Sequence, residues 1–262
     1  MNENSVIFAG AGPGDPELIT VKAQNALCCA DIVIYAGSLV PEAVLKWADK
    51  KAELINSASM HLEEIVQKMA ESYKSGKKVV RLHTGDPSLY GAIFEQMAEL
   101  DRQSVPYRVI PGVTAAFAAA AAMQIEFTLP EVSQTLIFTR MAGRTPVPEL
   151  ESLSSLAKHK ASMAIYLSIS LIDEVQQVLT DAYGPDSICA IAYCVGHPEE
   201  KIMFMEAKDL AKKAREENIT RQALVIAGQT LDFQKREQGS PAKKSKLYDS
   251  HFSHGFRQSA NG

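Results

Sequence analysis

Val6-Ile7-Phe8-Ala9-Gly10-Ala11-Gly12-Pro13-Gly14-Asp15-Pro16-Glu17-Leu18 carries the reading of the fold. Four apolar residues in a row form a short buried-strand pattern. Three glycines then lead the chain out of the strand. Asp15 and Pro16 mark a helix start, with aspartate as N-cap and proline at the first helical position. A glycine-rich passage from strand to helix lets the backbone approach a ligand where free N–H groups face outward. The spacing excludes two common ligand loops. A dinucleotide fingerprint would place its third glycine at Asp15, and a phosphate loop needs Gly-Lys-Ser/Thr. An acidic residue beside the helix N-terminus also repels phosphate. The loop points to a ligand that is not a phosphate.

Outward from this loop, apolar runs alternate with helical patterns. Strands are predicted over 6–9, 31–35, 52–55, 79–83 and 107–110, and helices over 16–29, 41–49, 62–75 and 91–103. Within 62–75, Leu62, Ile65, Val66, Met69 and Tyr73 recur at three- and four-residue steps, which is one face of a helix. Such alternation predicts a largely parallel sheet with helices on both faces. Pro111-Gly112 ends the fifth strand, and 114–123 reads as a small-residue helix. A boundary is placed near 126–133. Beyond it, strands are predicted over 135–140, 162–167, 188–193, 202–206 and 223–227, with helices over 148–159, 171–183 and 208–217. The loop holding Gly196-His197-Pro198 joins two of these strands as an antiparallel hairpin. The chain thus reads as α/β, with two α/β domains over 1–126 and 134–231 and a polar tail over 232–262. The first sheet is largely parallel and the second mixed.

Composition narrows the function classes. In 262 residues, 46% are hydrophobic and 22% charged, with a net charge of −4, so a nucleic-acid surface is not expected. Four cysteines show no Cys-x-x-Cys pair, which suggests reduced thiols and a cytoplasmic protein. No secretory leader is read at the N-terminus, and no apolar run is long enough for a bilayer span. His251 and His254 lack a cysteine or acidic partner set, so no metal site is expected.

A second loop, Leu82-His83-Thr84-Gly85-Asp86-Pro87-Ser88-Leu89-Tyr90-Gly91, closes the fourth strand, and Ile110-Pro111-Gly112-Val113-Thr114-Ala115 follows the fifth. In order with Gly10–Asp15, and with Leu18-Ile19-Thr20 after it, they resemble the tetrapyrrole methyltransferases, which use S-adenosylmethionine to methylate porphyrin and corrin precursors. Ala164-Ile165-Tyr166-Leu167-Ser168 and Gln222-Ala223-Leu224-Val225-Ile226-Ala227-Gly228 extend the similarity over roughly the whole chain. Tyr35-Ala36-Gly37-Ser38-Leu39-Val40, Met60-His61-Leu62-Glu63-Glu64 and Thr139-Arg140, with Gly143-Arg144-Thr145-Pro146-Val147-Pro148, look like the branch that methylates C11 of precorrin-4, with or without cobalt. Leu247-Tyr248-Asp249 and the stretch from Phe252 through Arg257 also resemble tails of that branch, which would dock on the body.

The resemblance implies the tetrapyrrole methylase fold, a homodimer, and S-adenosyl-L-methionine in the cleft between the domains. Carried over residue by residue, the cofactor contacts are Pro13, Thr84, Gly85, Asp86, Leu89, Thr114, Ala115, Leu167, Val195 and Ala223. A precorrin bears acetate and propionate groups, for which Lys22, His61, Arg140 and Arg144 are the candidate partners. Family members acting on uroporphyrinogen carry an aspartate base where this chain has Gly37, so the catalytic base stays unassigned. Plainer roles compete for several of these residues. The three glycines also suit a tight turn, Asp86 also suits a helix cap, and Thr114 and Ala115 also suit close packing. Methylation at another carbon of a precorrin intermediate, or tetrapyrrole or nucleoside binding without catalysis, remains an alternative.

Overall fold

The computed structural model describes residues 5–37, 39–235, 245, 250–253 and 255–258. The chain divides into two compact units, Met1–Ala119 with Cys194–Glu200, and Ala120–Tyr193 with Lys201–Gly262. The division is discontinuous, which a boundary at 126–133 does not capture. Cys194–Glu200 comes from the second half of the sequence but packs with the first unit.

In the first unit, β1 (Val6–Gly10), β2 (Ile32–Tyr35), β3 (Glu53–Asn56), β4 (Val79–His83) and β5 (Tyr107–Ile110) form one sheet in the order β3-β2-β4-β1-β5. Every neighbouring pair is parallel. One face carries Ile7, Ala9, Val33, Val80 and Leu82 against α1 (Val21–Cys28) and α2 (Glu42–Leu45). The other carries Phe8, Ile32, Ile34 and Val79 against α3 (Leu62–Lys74) and α4 (Ile93–Arg102). The period of two along each strand makes this division, since alternate side chains point to opposite faces. In α3 the predicted apolar face is buried through Ile65, Val66 and Met69, and the His61 N–H donates to Glu64 Oε2 at 2.7 Å to fix the first turn.

Three predicted helices are shortened most, two of them because a further capping residue lies within each predicted range. The 16–29 pattern splits into a 3-10 turn over Pro16–Leu18 and α1. Asp15 Oδ1 accepts the Glu17 N–H at 2.8 Å to open the turn, then Thr20 Oγ1 accepts the Ala23 N–H at 3.2 Å to open α1. Likewise 148–159 becomes a 3-10 turn over Glu149–Glu151 and then α6 (Leu153–Ala157), with Ser152 Oγ accepting from Ser155 N. The 41–49 pattern retains only α2.

α5 (Ala115–Met123) carries the break between the units, at Ala119 and Ala120. The second unit holds β6 (Leu136–Arg140), β7 (Ser162–Tyr166), β8 (Ile188–Tyr193), β9 (Lys201–Glu206) and β10 (Ala223–Ala227), in the order β6-β7-β10-β8-β9. β6 and β7 are parallel and the remaining pairs antiparallel, the expected mixed sheet with its β8–β9 hairpin. Met163, Ile165, Ile191 and Val225 pack against α7 (Ile172–Tyr183) and α8 (Leu210–Glu216) through Val175, Leu179, Leu210 and Ala214. Of the tail expected over 232–262, Leu247–Asp249 lies outside the described residues, whereas Phe252 and Phe256 are exposed.

Candidate functional site

β1 lies between β4 and β5, so the loops that follow these three strands meet at the C-terminal edge of the parallel sheet. Open α/β sheets bind ligands at this edge. Backbone hydrogen bonds join the loops. The Ala11 N–H donates to His83 O at 2.7 Å, the Gly85 N–H to Gly12 O at 2.7 Å, and the Gly12 N–H to Gly85 O at 3.3 Å. The Asp86 carboxylate completes the junction. Its Oδ2 accepts the Gly112 N–H and its Oδ1 the Ser88 N–H, both at 2.8 Å.

This packing identifies the role of the glycines. A Cβ on Gly10 would lie 2.5 Å from Gly85 O and 2.6 Å from Gly112 Cα, and one on Gly12 would lie 2.9 Å from Leu18 O. Gly12 also has a φ of +78°. A Cβ on Gly14 would meet the His197 ring at 2.3 Å. The space beside each glycine is filled by the protein itself, so close packing leaves no room for a side chain at these positions. Any ligand would meet the backbone that these contacts hold in place.

The first unit brings together most of the predicted donor residues. Thr84, Gly85, Asp86 and Leu89 are half-buried after β4, while Thr114 and Ala115 begin α5 after β5. Pro13 and Val195 are buried in the same unit, where Gly196 packs against Pro13. Leu167 and Ala223 belong to the second unit. Leu167 follows β7, is 65% exposed and has a φ of +53°, and Ala223 opens β10.

The predicted carboxylate partners lie on separate elements, Lys22 and His61 in the first unit and Arg140 and Arg144 in the second. Lys22 is exposed on α1, His61 is exposed at the start of α3, and Arg144 is exposed in the loop after β6. Arg140 is engaged by its own loop. Its Nη1 donates to Met141 O and Thr145 O, and its Nη2 to Pro146 O at 2.7 Å. At the position of the uroporphyrinogen-type base, a Cβ on Gly37 would lie 2.2 Å from both terminal atoms of the Asn56 amide. Asn56 occupies the space a side chain at 37 would need.

Sequence reasoning named Thr84 and Leu89 but missed the cavity of about 320 Å³ that they line in the first unit together with Arg81, His83, Tyr90, Ala92 and Gln96. Arg81 and His83 are two residues apart on β4 and share the α3/α4 face. Each is only 5% exposed. Arg81 donates from Nε to Gln96 Oε1 at 3.1 Å, and from Nη1 to Ser57 Oγ at 2.8 Å and Ile34 O at 3.4 Å. Burial lowers its pKa to about 10, which leaves it charged at neutral pH. Burial, and then the Arg81 charge, push His83 down to about 3, and its buried Nε2 has no hydrogen-bond partner among the described residues. Tyr90 and Ala92 hold φ values of +56° and +48°, in the sparsely populated region that clusters at functional sites. The signal was present in Val79-Val80-Arg81-Leu82-His83, where a cation interrupts an otherwise apolar strand.

Among the described residues, no group of His, Cys, Asp and Glu could hold a metal ion, and no helix is long and apolar enough to cross a membrane.

Residues 5–211 match the family Tetrapyrrole (Corrin/Porphyrin) Methylases. The cobalt-precorrin-4 C(11)-methyltransferase of Methanocaldococcus jannaschii is 49% identical over 259 residues, covering 98% of each chain. That of Priestia megaterium is 46% identical over 250 residues, covering 95% of this chain and 96% of its own. The crystal structure of a cobalamin biosynthetic enzyme, cobalt precorrin-4 methyltransferase, superposes with a TM-score of 0.84 at 46% identity, covering 87% of this chain and 96% of that one. With its parallel sheet, its three joined loops and a match over most of its length, the chain belongs to the tetrapyrrole (corrin/porphyrin) methylase family.

Proposed function

We propose that this protein transfers a methyl group from S-adenosyl-L-methionine to C11 of precorrin-4 or cobalt-precorrin-4 in cobalamin biosynthesis. The observation that carries the proposal is the 49% identity over 98% of both chains to a relative named for that reaction. The joined loops fit the donor's chemistry. Thr84 to Leu89 and Thr114 to Ala115 contain no lysine or arginine and place the Asp86 carboxylate at the junction, which suits a cationic sulfonium rather than a phosphate.

When bound, the donor supplies a methyl group already activated for transfer to carbon. The protein therefore needs no side-chain nucleophile. Its task is to hold the reacting centres in line, and such positioning is worth about 7–11 kcal/mol in favourable systems. Pro13, Thr84, Gly85, Leu89, Thr114, Ala115 and Val195 would hold the donor from the first unit. Asp86 keeps the β4 and β5 loops in register. Lys22, His61 and Arg144 remain available to substrate carboxylates, while Arg140 orders the loop after β6. The same proposal includes a cytoplasmic homodimer. No disulfide joins the cysteines of the described residues, and exposed Phe94 and Phe117 supply apolar surface for a second copy.

The test incubates purified protein with ¹³C-methyl-labelled donor and each form of precorrin-4. A ¹³C signal at C11 is expected. Transfer to another carbon, or binding without transfer, overturns the proposal. Light scattering checks the dimer.

A further inference from the structure

Arg81 is a buried cation whose partners, Gln96, Ser57 and the Ile34 carbonyl, are all neutral. It forms no ion pair among the described residues, and its Nη2 makes no hydrogen bond among them. Glu95, the only carboxylate among the described residues lining the cavity, is exposed and not paired with it. Desolvating a charge without an opposite partner is costly, and an arginine fork matches a carboxylate in shape and charge. The His83 imidazole, with an unpartnered Nε2, lines the same cavity. Apolar Leu39, Met60, Leu62 and Ile65 complete much of the lining, a surface suited to the edge of a macrocycle, and Thr84 and Leu89 make the cavity continuous with the proposed donor contacts. Tyr90 and Ala92 line it in strained backbone, and a Cβ on Gly91 between them would lie 2.1 Å from Pro87 O.

We infer that this cavity is a carboxylate subsite, in which Arg81 receives a peripheral acetate or propionate group of the tetrapyrrole and His83 forms the adjoining wall. The inference rests on the proposal that the acceptor is a precorrin. It assigns substrate recognition to a buried arginine rather than to the exposed basic residues alone.

Gln96→Glu tests it, because the new carboxylate would stand 3.1 Å from Arg81 Nε and neutralise the cation from within. The variant also loses the Gln96 Nε2 donation to Ala92 O, so thermal unfolding is measured alongside. Arg81→Lys, which keeps the charge without the fork, is the second variant. Binding of uroporphyrin III is read by fluorescence, and binding of S-adenosylhomocysteine by calorimetry. At least tenfold weaker porphyrin binding is expected in whichever variant stays folded, with the nucleoside affinity within twofold. Unchanged porphyrin affinity in a folded variant overturns the inference. So does a loss confined to S-adenosylhomocysteine, which would assign the carboxylate to the donor, and so does a wild-type protein that binds no porphyrin. Failure of the broader proposal looks different: Arg81-dependent porphyrin binding would persist without methyl transfer to precorrin-4.

Discussion

Asp86, beyond the end of β4, accepts the backbone N–H of Gly112, beyond the end of β5, at 2.8 Å. β1 runs between these strands, so one carboxylate ties together two loops that flank a third. Its other oxygen accepts the Ser88 N–H and shapes the turn that follows. The helix-cap alternative does not hold, since the next helix begins at Ile93; the carboxylate instead shapes a turn and joins two loops.

Asp86→Ala removes both acceptors and leaves two backbone donors without their charged partner. Hydrogen bonds to charged groups contribute about 1.5–3 kcal/mol each, so urea unfolding should show a loss of about 2–4 kcal/mol in this partly solvated setting. S-adenosylhomocysteine affinity should fall with it, because the loops lose their register. Unchanged affinity by calorimetry would remove Asp86 from the donor site.

Gly10→Ala tests the closeness of the loops directly. The new methyl group would lie 2.5 Å from Gly85 O and 2.6 Å from Gly112 Cα, where both neighbours are backbone. Overpacking typically costs about 1–3 kcal/mol, and here no side chain can yield. A melting temperature equal to that of wild type would contradict the contact. Gly143→Ala is the control, since its Cβ would meet only Leu171 Cδ1, at 3.3 Å.

The ten strands of the described residues were legible because each is a short, largely apolar run bounded by turn residues, and the hairpin because Gly196-His197-Pro198 separates two such runs. Helix lengths were less legible. Thr20 and Ser152 cap new helices inside continuous patterns, and periodicity does not register a cap. The three loops were legible as motifs, yet the reason for Gly10 was not. Its neighbours, Gly85 and Gly112, lie about 75 and 100 residues away in sequence, an approach that only the parallel strand order creates. Arg140 illustrates the same limit. Residue type suggested a carboxylate clamp, whereas its fork closes on carbonyls of Met141, Thr145 and Pro146.

Gly37→Asp should disturb Asn56, whose amide occupies the Cβ position and whose Oδ1 accepts the Ala58 N–H at 2.9 Å. A destabilisation of about 1–3 kcal/mol is expected for the single variant. In Gly37→Asp/Asn56→Ala, the space is vacated and the two effects should couple by about 0.5–3 kcal/mol. Strict additivity in the cycle would show that the two positions do not compete for that space.

His83 makes stability depend on pH in a defined window. Its pKa drops from 6.5 to about 3 on folding, first through burial and then through the Arg81 charge. Below pH 6.5 the unfolded chain takes up a proton that the native imidazole refuses, so the unfolded state gains relative to the native one. The stabilisation is therefore present above pH 6.5 and is lost progressively as pH falls toward 3. Between pH 7 and pH 5 the difference is about 2 kcal/mol, from 1.36 kcal/mol for each pKa unit. His83→Gln carries no titrating group and should lose that much less stability over the same interval, whatever its stability at pH 7. Urea unfolding of both proteins at pH 7, 6 and 5 reads the slopes. Parallel slopes would mean that the native imidazole takes up its proton as readily as the unfolded one, and that the wall beside Arg81 is open to water.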